Sequence, residues 1–426
     1  MSNKGKENLE HPAGKKPLSP KLRFPEFHCA PAPMPPLSSV AKFVSKKIEA
    51  ANLSRAQYIS TENLLPDFGG AARAAKLPSV PAATAFQPGD ILVSNIRPYL
   101  RKIWRSATHG GASNDVLVIR AGAATFSGYL SAVLCTDSFI SYAMRSAKGV
   151  KMPRGDITAI RAFPVFLPPL AEQKKIADCL SSLDELIAAE AQKLDALKSH
   201  KKALMQQLFP RESEAVPRLR FPEFQGPGGL NKTTLGRISL RIAAGGTPST
   251  SERSYWGGEH RWMCSGELNH KRVYDVQGRI TEEGLRSSSA SVVPARCVLI
   301  GLAGQGKTRG TVAMNMVPLC TNQSIAAIFP NGAIFDSDFI YHNLDSRYDE
   351  LRSLSAGGGG RGGLNLEIIK NLGIILPSLP EQKKIADCLS SLDDLVRAQS
   401  QILETLKAHK KALMQQLFPS PDEVPA

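Results

Sequence analysis

The chain has 426 residues, enough for two or three domains, and its 53 lysines and arginines against 38 aspartates and glutamates give a net charge of +15, which favours a polyanionic partner, nucleic acid first. No run approaches the roughly 18 apolar residues of a membrane span, and the opening MSNKGKENLEHPAGKK lacks the apolar core of a secretory signal, so a protein that stays in the cytoplasm is expected. Seven widely spaced cysteines with no CxxC pair argue against structural zinc and against a disulfide framework, and no metal site is expected.

Self-similarity organises everything that follows. Residues 167–210, LPPLAEQKKIADCLSSLDELIAAEAQKLDALKSHKKALMQQLFP, return at 376–419 with a constant offset of 209 and 33 of 44 positions identical, and LRFPEF at 22–27 returns at 219–224. In chain order this predicts a disordered basic tail (1–20), a first domain (21–166), a first helix (167–210), a linker (211–224), a second domain (225–375), a second helix (376–419) and a short tail (420–426).

The first domain block contains the apolar strand pattern GDILVSNI (89–96) followed by a basic and aromatic cluster. Asn95, Arg97, Tyr99, Arg101, Lys102 and Arg105 there are candidates for DNA contact, the cations for phosphates and Asn95 or Arg97 for base edges. Solvated charge with Trp104 in the core is the competing reading. Lys148, Lys151 and Arg154 in the loop KGVKMPRG invite the same pair of readings.

Between flanking prolines the first repeat has neither Gly nor Pro, which predicts one helix, about 55 Å over Glu172–Leu208. Leu180, Leu183, Ile187, Leu194, Leu197, Leu204 and Leu208 keep a heptad spacing, and so do Leu389, Leu392, Val396, Leu403, Leu406, Leu413 and Leu417 in the second copy, with Glu190, Lys201, Gln399 and Lys410 at polar core positions. Two near-identical rods in one chain predict an antiparallel pair. Leu186, Met205, Phe209 and their copies Leu395, Met414, Phe418 are apolar outside the seam, and serve either partner subunits or the domain blocks.

The second block differs in content. Arg253 and Tyr255 in SYWGGEHRW follow GGTPS and suit stacking on nucleic acid, while core packing of Trp256 and Trp262 is the plainer alternative. GLAGQGKT (301–308) satisfies the phosphate-loop pattern, yet RGTVAMNMV reads as a second strand where that motif needs a helix. A Gly-rich hairpin is expected, with Lys307 and Arg309 available to DNA phosphates. Asn322 and Gln323 have the amide chemistry that reads adenine, or else cap a strand end. Arg361 in SAGGGGRGG either approaches a backbone or belongs to a plain linker.

The order of LRFPEF, the LPxLxEQKKIAD helix starts, ISTENLLPD with GDILVSNIRPYLRKIW and SNDVLVIR, and GGTPS, ITEEGLRSSSA, GQGKTRG and GGLNLEIIKN resembles the specificity subunits of type I DNA restriction-modification systems, over about Leu22–Pro419. The resemblance implies two α/β target recognition domains joined by two long antiparallel helices, a coiled-coil spacer, in an elongated pseudo-two-fold architecture. It implies a non-catalytic chain of a bacterial or archaeal cell, nucleoid-associated, that reads a bipartite, asymmetric double-stranded DNA target, one domain per half-site. Its implied partners are two modification (methyltransferase) subunits and the restriction (endonuclease/translocase) subunits, which would carry S-adenosylmethionine, ATP and Mg. A scaffold whose charge is incidental, and a P-loop NTPase, are the rival functions.

Overall fold

The computed structural model describes residues 20–30, 32–77, 80–210, 214–226, 229–304, 308–354 and 363–419. Most of the N-terminal tail and the tail after Pro419, with Lys307 and Arg361, lie outside the described residues. Both repeats form continuous helices, Leu170–Leu208 and Leu379–Leu417, of 39 residues each. Pro168 and Pro169 precede the first, Pro380 is tolerated in the first turn of the second, and Pro210 and Pro419 follow the last turns.

The chain divides into two compact units, 1–190 with 402–426 and 191–401. Each unit therefore holds one domain block, the start of the helix that follows that block, and the end of the other helix. The sequence division into separate blocks and rods differs from this because the helix ends contribute to the domain cores. In the first unit Ile176, Ala177, Leu180, Leu417 and Phe418 share a core with Leu37, Ile91 and Phe139, and the Phe418 ring lies 5.8 Å from that of Tyr129. In the second, Met205, Leu208, Phe209, Ile385 and Leu389 join Val298, Ile300 and Phe339, with Phe209 and Phe339 5.6 Å apart. Met205, Phe209 and Phe418 thus serve the domain blocks, whereas Leu186 and Leu395 remain 43% and 53% exposed.

Within each unit the helix segments run antiparallel. Lys410 Nζ lies 2.5 Å from Asp184 Oδ1 in the first unit and Lys201 Nζ lies 2.5 Å from Asp393 Oδ1 in the second. The 209-residue offset converts one pair into the other, so two of the expected polar core positions are occupied by the same ion pair. The fourteen seam residues are buried or half-buried, none exposed.

The first unit holds two small sheets and the second holds three, the extra one being the antiparallel pair Asn231–Thr234 with Gly373–Leu376. In the first, strands Ala41–Phe43, Val116–Ala121, Ile91–Ser94 and Ile103–Arg105 form one sheet in that order, and Lys47–Glu49, Ala82–Phe86, Gly110–Ala112 and Tyr58–Ile59 form another. In the second, the order Ile242–Ala244, Ile325–Ile328, Val298–Gly301, Val312–Asn315 repeats the first sheet and adds Arg272–Val273 at its edge. The second sheet there orders Gly278–Ile280, Trp256–Met263, Leu319–Thr321 and Val292–Val293. Ile91–Ser94 and Val298–Gly301 are buried at all four positions, as continuous apolar runs covered on both faces should be. Strands Val298–Gly301 and Val312–Asn315 pair antiparallel. The phosphate-loop pattern therefore spans a hairpin, and the helix whose N-terminus would hold phosphate is replaced by a strand.

Candidate nucleic-acid interface

The LRFPEF lead-ins and the EQKK helix starts, read from sequence as two separate repeats, are one device. Arg23 donates from Nε and Nη2 to the two carboxylate oxygens of Glu172 at 2.9 and 2.5 Å, and Arg220 does the same to Glu381 at 2.8 and 2.7 Å. Both glutamates are essentially buried, where a forked guanidinium satisfies both oxygens at once. Lys175 pairs with Glu26 and Lys384 with Glu223, and these lysines lie over the rings of Phe24 and Phe221 at 4.6 and 5.1 Å. Leu22 N and Leu219 N donate to the carbonyls of Gln416 and Gln207 at 3.0 Å each, so each lead-in also caps the end of the other helix.

The neighbouring glutamine fixes the domain. Gln173 accepts from Phe126 N at 2.8 Å and donates to Pro168 O and Ala124 O. Gln382 accepts from Asp336 N at 3.0 Å and donates to Pro377 O and Ile334 O. With Glu and Gln adjacent at a helix start, one side chain holds the lead-in and the next holds the domain, so the loops of each unit are set rigidly against its helix segments.

On this frame the first unit brings two of its predicted segments, the turn 95–101 and the loop 148–155, together. Arg97 N donates to Pro153 O at 2.7 Å, Gly155 N to Asn95 O at 3.0 Å, and Arg154 pairs with Asp115 at 2.9 Å. The loop 148–155 is thereby stitched to the turn 95–101. Arg97 and Arg101 both adopt left-handed backbone, as do Asp67 and Phe68 in the facing turn, a conformation that costs non-glycine residues free energy and survives only where surroundings enforce it. The enforcement is visible: Asp67 N and Phe68 N donate to Leu100 O and Arg101 O at 3.0 and 2.9 Å. Between these turns Tyr99 stands 49% exposed.

Several candidates are engaged internally. Asn95 is only 6% exposed, held beneath the turn with its oxygen 2.8 Å from where a Cβ on Gly155 would sit, so it is not at a surface that meets base edges. Arg101 pairs with Asp137 at 2.8 Å and stacks on Phe68, and Lys102 donates to Thr61 O at 2.6 Å; both hold turns together. Lys148 pairs with Asp156 at 2.9 Å and holds that carboxyl below its usual range. Arg97 is half-buried, whereas Arg105 and Lys151 are exposed.

In the second unit Trp256 and Trp262 meet edge to face at 5.1 Å and donate from Nε1 to Ser249 O and Gly246 O at 3.0 and 2.9 Å. The tryptophans are thus a platform under GGTPS, the packing alternative. A Cβ on Gly245 would lie 1.9 Å from Thr321 O and one on Gly246 2.3 Å from Ser289 Oγ, which is why only glycines let this segment run flush against its neighbours. Thr247 donates to Gln323 Oε1, and Asn322 Oδ1 accepts from Ser324 N at 3.1 Å. Arg253 is exposed and Tyr255 half-buried on the short turn Arg253–Tyr255, close to this group, whereas Arg309 belongs to the hairpin after Gly301. In the first unit Lys47 donates to Asn114 Oδ1 at 2.9 Å, a contact that no sequence motif announces.

Burial pushes the thiols of Cys135 and Cys297 up to about 12, all seven cysteines are free, and no cluster of three metal-ligating side chains occurs among the described residues. No described helix is long and apolar enough to cross a membrane.

The family model for the type I restriction modification DNA specificity domain matches residues 114–199 and 235–408. The chain belongs to this family. It is 32% identical over 173 residues to the type I restriction enzyme MjaIX specificity subunit of Methanocaldococcus jannaschii, covering 39% of each chain. It is 28% identical over 174 residues to the EcoR124I/EcoR124II specificity subunit of Escherichia coli, covering 40% of this chain and 43% of that one. The matched stretches span well under two thirds of these relatives. Among solved structures, the type I S subunit of M. genitalium superposes with a TM-score of 0.60 at 14% identity, over 94% of this chain and 99% of that one. A chain from a structure of a type I R-M system gives 0.60 at 19% identity, over 92% and 100%. At these identities the superpositions establish the specificity-domain fold: mixed α/β domains with long helices.

Proposed function

We propose that this chain is the DNA-reading subunit of a type I restriction-modification complex. Each unit reads one half of a bipartite, asymmetric duplex target, and the two helices set the gap. The observation that carries this reading is the duplicated frame, Arg23–Glu172 and Arg220–Glu381 with their helices, holding two domains whose loops differ. A duplicated clasp under unlike surfaces is what two different half-sites require. The domain blocks also hold the basic excess: residues 28–166 carry 16 lysines and arginines against 7 acidic residues, and 225–379 carry 16 against 12. Phosphates attract such surfaces without specifying sequence.

In this reading the chain performs no chemistry. Two modification subunits dock through the helices and bring S-adenosylmethionine for adenine methylation, and restriction subunits bring ATP, Mg and cleavage, in the cytoplasm of a bacterium or archaeon. Leu186 and Leu395, exposed and related by the repeat offset, support a docking role for the helices. The test is an adenine-methylation map of the host with and without the gene. A gapped motif that disappears on deletion is expected; an unchanged map contradicts the proposal.

A further inference from the structure

Two turns of the same build occupy equivalent places in the two units. In the first, Ser113 N donates to Ile59 O at 2.8 Å and Val116 N closes the turn on Ser113 O at 3.0 Å. In the second, Asn322 N donates to Met263 O at 3.0 Å and Ile325 N closes on Asn322 O at 3.2 Å. Each turn leaves a strand that is paired in parallel, Tyr58–Ile59 with Gly110–Ala112 or Trp262–Met263 with Cys320–Thr321, and enters a central strand. The second residue of each turn is an exposed carboxamide, Asn114 or Gln323.

Both amides are anchored by their oxygen from a neighbouring segment. Lys47 Nζ donates to Asn114 Oδ1 at 2.9 Å and is itself held on Thr84 Oγ1 at 3.1 Å. The Thr247 hydroxyl donates to Gln323 Oε1, on the segment that the glycines and Trp262 seat. A lysine has only donors, so the Asn114 amide has one orientation. Each anchor uses one lone pair and leaves the second, together with both N–H groups, to a ligand. No other hydrogen bond engages either amide among the described residues. An immobilised exposed carboxamide offers one acceptor and one donor side by side, the complement of adenine N6 and N7 on the major-groove edge.

We propose that Asn114 and Gln323 are specificity-determining residues, each reading an adenine in its own half-site, with Lys47 and Thr247 as their positioning residues. This rests on the DNA-reading function proposed above. A freely rotating surface amide could accommodate several bases, whereas one fixed at its oxygen loses its partners when the base changes.

The test maps adenine methylation in a host carrying the full-length chain and its modification subunits, with Asn114→Ala, Gln323→Ala, Lys47→Met or Thr247→Val. Asn114→Ala is expected to relax one position of one half-site by roughly 5- to 150-fold, leaving the other half and the gap intact; Gln323→Ala does the converse. Thr247→Val, nearly isosteric at a half-buried position, relaxes the same position as Gln323→Ala, and Lys47→Met the same as Asn114→Ala. If both alanine variants abolish methylation, the two anchor variants decide. Unaltered base preferences in the anchor variants, or in the alanine variants, overturn this inference while the wild-type gapped motif stands. Absence of that motif from the wild type overturns the DNA-reading function itself.

Discussion

Arg23 and Glu172, 149 residues apart, meet through two parallel hydrogen bonds of 2.9 and 2.5 Å, with the carboxylate fully buried. The contact ties the first lead-in to the first helix, and Arg220–Glu381 ties the second lead-in to the second. Removing one partner strands a charge away from water, which costs about 3 kcal/mol, whereas replacing both with apolar residues is far milder. Glu172→Ala is therefore expected to lower the stability of the first unit strongly, and Arg23→Met with Glu172→Met to recover most of the loss. Denaturant unfolding of the three proteins measures the difference; equal losses would show that the clasp contributes through packing alone.

The same ion pair occurs twice in unequal surroundings. Lys201 and Asp393 have side-chain exposures of 13% and 22%, Lys410 and Asp184 25% and 58%. Water screens the second pair, so Lys410→Met should cost at most about 1 kcal/mol. Lys201→Met leaves Asp393 beside the buried His342 and should cost about 3 kcal/mol. Thermal denaturation of the two variants, identical in chemistry and related by the repeat, isolates the effect of environment.

His342 is buried, 3.1 Å from Ser390 Oγ through Nε2 and 3.9 Å from Asp393 Oδ2 through Nδ1. Burial first, then the charges of Lys201 and Arg272, push its pKa down to about 2. The unfolded chain binds this proton near pH 6.5 and the folded chain does not. The stabilisation is present above 6.5 and is lost as pH falls, by up to about 1.4 kcal/mol per pH unit. His342→Gln should flatten the decline in stability between pH 6.5 and 5, read from unfolding midpoints across that range.

Lys151 is exposed and has no ion pair among the described residues, while Lys148 in the same loop is held by Asp156. Lys151→Ala is expected to weaken duplex binding uniformly across sequences and reduce the slope of log affinity against log salt by about one. Lys148→Ala should change it less. Binding titrations of the full complex at several salt concentrations compare the two.

Much of this architecture is legible in the sequence because repetition is: the 209-residue offset, the missing Gly and Pro and the leucine spacing specify both helices, and the strand after GLAGQGKT betrays a hairpin. What stayed hidden depends on distance in the chain. Nothing in LRFPEF announces that its arginine faces a glutamate 149 positions on, and nothing in SNDVLVI marks Asn114 until its oxygen meets Lys47. Asn95 and Arg101 have the right chemistry for DNA, but the fold uses them inward, one under a turn and one against Asp137 and Phe68.

The most direct test of the central claim is an exchange of residues 28–166 for the corresponding block of another family member, followed by adenine-methylation mapping in the host. One half of the target is expected to change while the other half and the gap persist. A map in which both halves change, or neither, would contradict modular readout by the two units.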